Sequence, residues 1–254
     1  NQGLPRDPSE PNAVNTAHLI LTFTHAAALE DAVGEPELAA RCRRRAEELT
    51  RAMLTAFWDD RRGLIADVPD HSKFSEHTQT LALLADTLPD GVARRCAAGL
   101  FDDPDLYRAT IYFMHYLFEV CRRLDRPDVM QRRMSTWFDL LDIGLRTLPE
   151  MPEPTRSDNH GWGAHIVFHF LASILGIRPA SPGFASVRIE PRLGPLTWAR
   201  GTMAHPRGTI TADLRRDGGR ITGTITLPAS VGGTFHDQGR VVELDPDHAG
   251  EHRV

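Results

Sequence analysis

The segment from Gly144 to Gly163 holds the densest group of chemically active side chains in the sequence. Its charged groups, imidazole and indole belong to Arg146, Glu150, Glu153, Arg156, Asp158, His160 and Trp162. Pro149, Pro152 and Pro154 restrict the backbone, so these side chains can be held at low entropic cost. Carboxylates beside an aromatic ring suit sugar hydrolysis, in which one acid protonates the leaving oxygen and a carboxylate attacks or activates water. The alternative is a rigid polar loop between two helices with a buried Arg–Asp pair.

Two further groups of polar side chains invite a chemical interpretation. The stretch His71–Gln79 contains Glu76 and could supply a polar edge to the same pocket, although a capped helix start with solvated side chains is the alternative. His165 and His169 have the spacing of metal ligands on a helix, but Ile166 stands where a zinc peptidase motif has glutamate. We therefore expect two packed histidines, no metal ion and no other cofactor.

Helices must position these side chains, because apolar residues recur at steps of three and four through the first two thirds of the chain. The predicted helical segments are Val14–Val33, Pro36–Phe57, Ser72 or Ser75 to Leu84, Ile111–Leu124, Met130–Leu141 and Ala164–Ile174. The pattern is weak over residues 91–100, and about seven helices are expected in total. Such a series fits either a helical bundle or a barrel of helical hairpins.

Past Gly176 the sequence changes to short runs with period-two alternation, punctuated by prolines. The clearest runs are Val187–Glu190, Thr209–Leu214 and Ile221–Leu227. An Asp-Gly pair between the last two is typical of a β-hairpin turn. We expect about five to seven strands in a small antiparallel β-sandwich. The fold class is therefore α+β, with a helical domain over residues 1–180 and the sandwich over residues 181–254.

The composition excludes several classes of partner. The formal net charge is -5 and no basic face is indicated, so we expect no nucleic acid. No apolar run approaches about 18 residues and no signal peptide is present, so we expect no membrane segment. The chain begins with Asn1 rather than Met, in a proline-rich stretch that includes Gly3–Pro8, which suggests a missing upstream portion. The cytoplasm is favoured as the location, but this N-terminus leaves secretion open.

The loop that carries Glu150 resembles glycoside hydrolase family 78, the bacterial α-L-rhamnosidases. Residues 144–150 are similar to the family segment Gly-x-Thr-Thr-x-x-Glu, with Arg146 in place of the first threonine. Residues 154–165 look like one branch of the family, in which cysteine often replaces Asn159. The similarity continues through residues 175–179, 182–184 and 189–194, which look like the family's passage from barrel to C-terminal sandwich. It covers essentially the whole chain and is strongest from residue 135 to residue 210.

The resemblance implies the last part of an (α/α)6 helical-hairpin barrel followed by a β-sandwich. It also implies inverting hydrolysis of terminal α-L-rhamnosyl groups, with a rhamnosylated glycoside as substrate and Glu150 as the general base. The residues expected to bind substrate, directly or by holding the loop, are His160, Trp162, Arg156, Asp158 and Glu76. No segment resembles the family's general acid, and a complete barrel has twelve helices. We therefore expect this chain to need upstream barrel helices of the same gene product and to be inactive alone.

Two other functions stay open at this point. The chain could be a non-catalytic carbohydrate-binding or structural remnant that keeps the fold without the chemistry. It could also belong to an (α/α)-barrel hydrolase for another sugar, because close relatives within the family act on other sugars. An acidic motif upstream would favour an enzyme over a remnant.

Overall fold

The computed structural model describes residues 11–248 and 250–254. The proline-rich stretch noted near the N-terminus lies outside these residues. The chain forms two compact units, Asn1–Val120 and Cys121–Val254. No helix in the described ranges combines the length and apolar character that a membrane crossing requires.

The first unit is built from helices and one short hairpin. Its elements are α1 (Ala13–Ala32), α2 (Pro36–Phe57), β1 (Trp58–Asp59), β2 (Leu64–Ile65), α3 (Glu76–Ala85), α4 (Asp90–Asp102) and the first part of α5 (Ile111–Arg123). The Asn12 side chain caps α1 by accepting the Asn15 N–H (2.8 Å), and Ser75 caps α3 by accepting the Thr78 N–H (3.4 Å). Pro36 occupies the first turn of α2, where no backbone donor is needed. The predicted helix limits are confirmed to within a few residues.

Helix α4 is the element that the sequence pattern does not predict. Its buried residues are only Cys96 and Leu100, so its apolar stripe is too short to stand out. Gly99 has a packing role, because a Cβ added there would lie 2.5 Å from the Leu64 side chain. Small residues allow α4 to approach β2 closely, and these same residues weaken the helical period of the sequence.

The second unit joins the last helices to two sheets. Its elements are α6 (Pro127–Asp142), a 3-10 turn (Gly161–Ala164), α7 (His165–His169) with a π-helical turn (Phe170–Ile174), β3 (Ile177–Pro179), β4 (Ser186–Ile189), β5 (Trp198–His205), β6 (Gly208–Asp217), β7 (Arg220–Leu227), β8 (Gly232–Asp237), β9 (Arg240–Leu244) and β10 (Gly250–Arg253). The strand orders are β10-β7-β6-β5 and β3-β4-β8-β9. The predicted α+β fold class is confirmed.

The sandwich differs from its prediction in two details. The described residues form eight strands after the last helix, rather than five to seven, and β4 pairs with β8 in parallel. The predicted β6–β7 hairpin is present, and its turn residues Gly218 and Gly219 have φ of 53° and 90°. Two positive φ angles are what a two-residue type I′ turn requires. Ile210, Ala212 and Leu214 alternate with more exposed residues along β6, so one face of this strand is buried.

Hydrogen bonds connect the last helical turn directly to the sandwich. The Arg178 Nε donates to the Ala172 carbonyl (2.7 Å), and the Arg192 N–H donates to the Ile174 carbonyl (2.9 Å). The Glu190 N–H donates to the Gly176 carbonyl (3.1 Å). All three bonds lie within the second unit, and the last two join residues before position 180 to residues after it. The predicted domain boundary at that residue stays a prediction.

Replacing Gly176 should destabilise this junction. Gly176 has a φ of 73°, and an added Cβ would lie 2.0 Å from the Glu190 carbonyl oxygen. We expect Gly176→Ala to lower the free energy of unfolding by more than about 2 kcal/mol, because backbone strain and a backbone clash add. Gly183→Ala is the matched control, since Gly183 also has positive φ (66°) but no atom within 4 Å of the new Cβ. Urea unfolding measures both, and equal losses would contradict the steric argument.

Candidate active site

Glu150 lies in the loop between α6 and the 3-10 turn. Its side chain is buried (8% exposed), and its carboxylate forms an ion pair with the guanidinium of Arg156. The Arg156 side chain is 77% exposed, so this pair lies at the surface end of the Glu150 side chain. Among the described residues, Arg156 donates one hydrogen bond to Oε1, and Oε2 has no donor. Arg156 therefore holds one oxygen of the buried carboxylate and leaves the other without a partner among the described residues.

The backbone of Glu150 is fixed from both sides. Its N–H donates to the Ser157 carbonyl (2.9 Å), and its carbonyl accepts a hydrogen bond from the indole Nε1 of Trp162 (2.9 Å). The His160 N–H also donates to the Leu148 carbonyl (2.7 Å). Residues from the two ends of the loop are therefore held together, and Glu150 lies where they meet.

The rings of His160 and Trp162 form an aromatic pair, and the Trp162 indole is the ring that bonds to the Glu150 backbone. Their centroids are 4.0 Å apart and their planes are inclined by 45°. Trp162 is 40% exposed and His160 is half-buried, so part of the pair is open to a ligand. Asp158 is exposed, and its backbone carbonyl accepts a hydrogen bond from the Thr147 hydroxyl. The structure thus brings Glu150, Arg156, His160 and Trp162 together, with Asp158 in the same loop.

Glu76 belongs to the first unit, where its carboxylate is already bonded. It is buried (1% exposed) and accepts hydrogen bonds from Arg108 Nη1 (2.9 Å) and from the Ala109 N–H (2.6 Å). The Glu76 N–H in turn donates to the Tyr107 carbonyl (3.0 Å). These bonds fasten residues 107–109 to the start of α3. A substrate-binding role for Glu76 stays a prediction.

Asp67 is a buried acid that the sequence does not mark, because an acid close to Pro69 is typical of an exposed turn. It is fully buried, and its Oδ1 accepts hydrogen bonds from the hydroxyls of Ser75 (2.8 Å) and Thr78. Within the part of the chain that the structure describes, Oδ2 has no hydrogen-bond partner. Burial raises the pKa of the Asp67 carboxyl above its usual value, while the hydrogen bonds from Thr78 and Ser75 act in the opposite direction.

We expect Asp67→Asn to change how stability depends on pH. Asp67 is neutral in both states below its unfolded pKa of 3.8, and the stability it contributes is lost as the pH rises through its higher folded pKa. Asparagine keeps a hydrogen-bond acceptor but cannot ionise. The free energy of unfolding of the variant should therefore increase relative to that of the wild type as the pH rises. Asp70→Asn should show the opposite trend, because hydrogen bonds from Ser72 lower the pKa of Asp70. Urea unfolding at several pH values measures both, and parallel curves for wild type and Asp67→Asn would contradict the assignment.

The two histidines after the loop lie inside the second unit as packed side chains. His169 is fully buried, and its Nδ1 lies 2.8 Å from the Ser173 hydroxyl. The His165 ring contacts the ring of Trp137 edge to face, with the centroids 5.2 Å apart. His165 therefore packs against α6 and His169 against the π-helical turn, while the expectation that they bind no metal ion stays a prediction.

Comparison with known proteins finds similarity to rhamnosidases. Residues 176–237 match the family model described as the bacterial alpha-L-rhamnosidase C-terminal domain. An alpha-L-rhamnosidase of Alteromonas sp. (strain LOR) is 24% identical over an alignment of 257 positions, which covers 92% of this chain and 27% of that protein. The chain thus spans about a quarter of the length of this relative.

Solved structures show the same fold. A GH78 family rhamnosidase of Bacillus sp. GL1 has a TM-score of 0.81 at 22% identity, covering 91% of this chain and 26% of that one. The Streptomyces avermitilis alpha-L-rhamnosidase, complexed with L-rhamnose, has a TM-score of 0.74 at 21% identity, covering 94% of this chain and 26% of that one. Together with the family-model match, these likenesses confirm the resemblance found in the sequence, which is a resemblance to the C-terminal region of glycoside hydrolase family 78 rhamnosidases.

Proposed function

We propose that this chain carries the water-activating half of an inverting α-L-rhamnosidase site, with Glu150 as the general base. The observation that supports this most is the buried Glu150 carboxylate, carried by a residue whose backbone carbonyl is bonded to Trp162 of the partly exposed His160–Trp162 pair. A carboxylate in this setting can orient a water molecule through Oε2 while Arg156 holds Oε1. His160 and Trp162 would contact the sugar, and Arg156 and Asp158 would keep the loop in place.

The reaction that fits this arrangement is a single displacement. Glu150 takes a proton from water as the water oxygen attacks the anomeric carbon on the face opposite the leaving group. A carboxylic acid on the other face protonates the leaving glycosidic oxygen, and about 6.5–9.5 Å separates the two carboxyl groups. Because no segment of the 254 residues resembles the family's acid motif, we propose that this acid lies outside the chain.

The substrate class follows from the relatives rather than from the geometry. The Alteromonas and Streptomyces avermitilis relatives are alpha-L-rhamnosidases, so the proposed substrate is a glycoside with a terminal α-L-rhamnosyl group. The test uses an aryl α-L-rhamnoside as substrate. We call the active form whichever polypeptide releases the aryl group from it, either this chain or a longer polypeptide that contains it. Proton NMR of the first product should show β-L-rhamnose before mutarotation. Initial release of the α anomer would contradict inversion.

Carbohydrate binding without catalysis is the second candidate, and one observation favours it. Arg156 pairs with an oxygen of Glu150, and Arg108 with the Ala109 N–H bonds to the carboxylate of Glu76, so both carboxylates proposed for the site have internal partners. Titration of the chain with L-rhamnose, beside His160→Ala, would reveal such a site. Two results together would favour this candidate over the enzyme. L-rhamnose would bind in a way that depends on His160, and neither this chain nor any longer polypeptide that contains it would show turnover.

A further inference from the structure

We infer that Trp162 and Gly163 are positioning residues that set the location of Glu150, so that Trp162 does more than contact the sugar. The inference rests on the proposed role of Glu150 as the base. It is drawn from two contacts that reach the Leu148–Glu150 backbone from the 3-10 turn, one through a hydrogen bond and one through close packing.

The hydrogen bond comes from the Trp162 indole. Its Nε1 donates to the Glu150 carbonyl at 2.9 Å, while the Glu150 N–H donates to Ser157 on the other side of the residue. With both peptide groups bonded, the Cα of Glu150 has little freedom, and the side chain starts from a fixed point. Trp162 therefore binds the backbone of the base through its N–H and leaves part of its ring exposed.

The close packing comes from Gly163. This residue is buried, and a Cβ added there would lie 2.6 Å from the Pro149 carbonyl oxygen and 3.1 Å from the Leu148 carbonyl group. The glycine is required here for space, since its φ is not in the left-handed region. The Gly163 carbonyl accepts a hydrogen bond from Trp137 Nε1 (3.1 Å), and Trp137 is buried on α6. The contacts thus run from a helix, through the 3-10 turn, to the peptide that precedes Glu150.

These contacts predict an effect on the chemical step more than on sugar binding. A base that moves by about 1 Å can lose up to about 10²-fold in rate, because proton transfer depends steeply on geometry. Removal of the indole N–H should let the Glu150 peptide move while the six-membered ring can remain against the sugar. A residue that only stacks on the sugar would instead affect KM.

The experiment is a double-mutant cycle in the active form, with an aryl α-L-rhamnoside as substrate. Trp162→Phe keeps an aromatic ring and removes the N–H, and we expect kcat to fall between about tenfold and a hundredfold with KM changed less than about threefold. In a Glu150→Gln background, the same Trp162→Phe change should have little further effect, because it acts through the base. Trp198→Phe is the matched control, since Trp198 is an exposed tryptophan on β5.

Each outcome of the cycle has a separate meaning. A loss of kcat in the wild-type background that disappears in Glu150→Gln supports the inference. An equal loss in both backgrounds, or no loss in either, overturns it. Near-normal turnover of Glu150→Gln would instead overturn the proposed function itself, so the two failures are distinguishable.

Gly163 provides an independent arm of the same test. Gly163→Ala should lower kcat at least as much as Trp162→Phe, since a methyl group would displace the Pro149 peptide. Gly161→Ala is the matched control, because no atom lies within 4 Å of a Cβ built there. Equal kcat values for Gly163→Ala and Gly161→Ala would overturn the role of Gly163. If Gly163→Ala does not fold, the Trp162→Phe cycle decides the inference alone.

Discussion

Glu150→Gln is expected to lower turnover of an aryl α-L-rhamnoside by about 10²–10⁴-fold in the active form, which is the contribution of a positioned general base. The amide keeps the shape of the side chain but cannot take a proton from water. Because the sugar is proposed to contact His160 and Trp162, KM should change much less than kcat. Steady-state kinetics of the purified variant measure both constants.

Glu153→Gln is the control for this experiment. Glu153 lies three residues further along the same loop, is exposed, and accepts the Thr155 N–H through its carboxylate (3.1 Å). The amide retains an oxygen acceptor for that bond, so turnover should stay within about twofold of the wild type. Near-normal turnover of Glu150→Gln would assign the base elsewhere, with Glu153 and Asp158 as the next candidates.

The chain alone is expected to show no detectable release of the aryl group. An inverting site needs two carboxyl groups on opposite faces of the sugar. In this sequence, only Glu150 lies in a segment that resembles a catalytic motif of the family. Loss of leaving-group protonation alone would cost about 10²–10⁴-fold. The measurement is chromophore release over hours at high protein concentration, with a family rhamnosidase as the positive control.

Association of the chain should accompany this inactivity. On α1, Ala13, Ala17 and Ile20 are buried within the first unit, but Leu19 and Leu29 remain 43% and 64% exposed. Exposed apolar side chains of this size on one helix favour contact with another apolar surface. Light scattering should therefore report a mass above 28.3 kDa that rises with concentration. A monodisperse monomer with steady turnover would contradict both expectations and require a second catalytic carboxylate within the chain.

Much of the fold could be predicted because its helices are long and regularly patterned. Helices α1 and α2 extend over 20 and 22 residues, and their apolar spacing, with Gly34 and Pro36 between them, marks where one ends and the next begins. Helix α4 could not be predicted, since close packing of Gly99 on β2 replaces a broad apolar stripe. The parallel pairing of β4 with β8 also escaped prediction, because it joins strands more than 40 residues apart and depends on tertiary packing.

The candidate site was predictable to the extent that it is local in sequence. Glu150, Arg156, His160 and Trp162 lie within 13 residues, so one motif identifies them together. Their bonding could not be predicted, because the Trp162–Glu150 bond uses a backbone carbonyl, which every residue possesses. The partner of Glu76 is Arg108, 32 residues away, and nothing in either local sequence indicates that pairing.

Azide rescue of a Glu150→Ala variant tests the central claim most directly. Azide is a nucleophile that needs no general base, and the smaller side chain leaves room for it beside the anomeric carbon. If Glu150 activates water on the face opposite the leaving group, azide should restore aryl release in the active form and yield β-L-rhamnosyl azide. Absence of rescue, or formation of the α-azide, would contradict the assignment of Glu150 as the base.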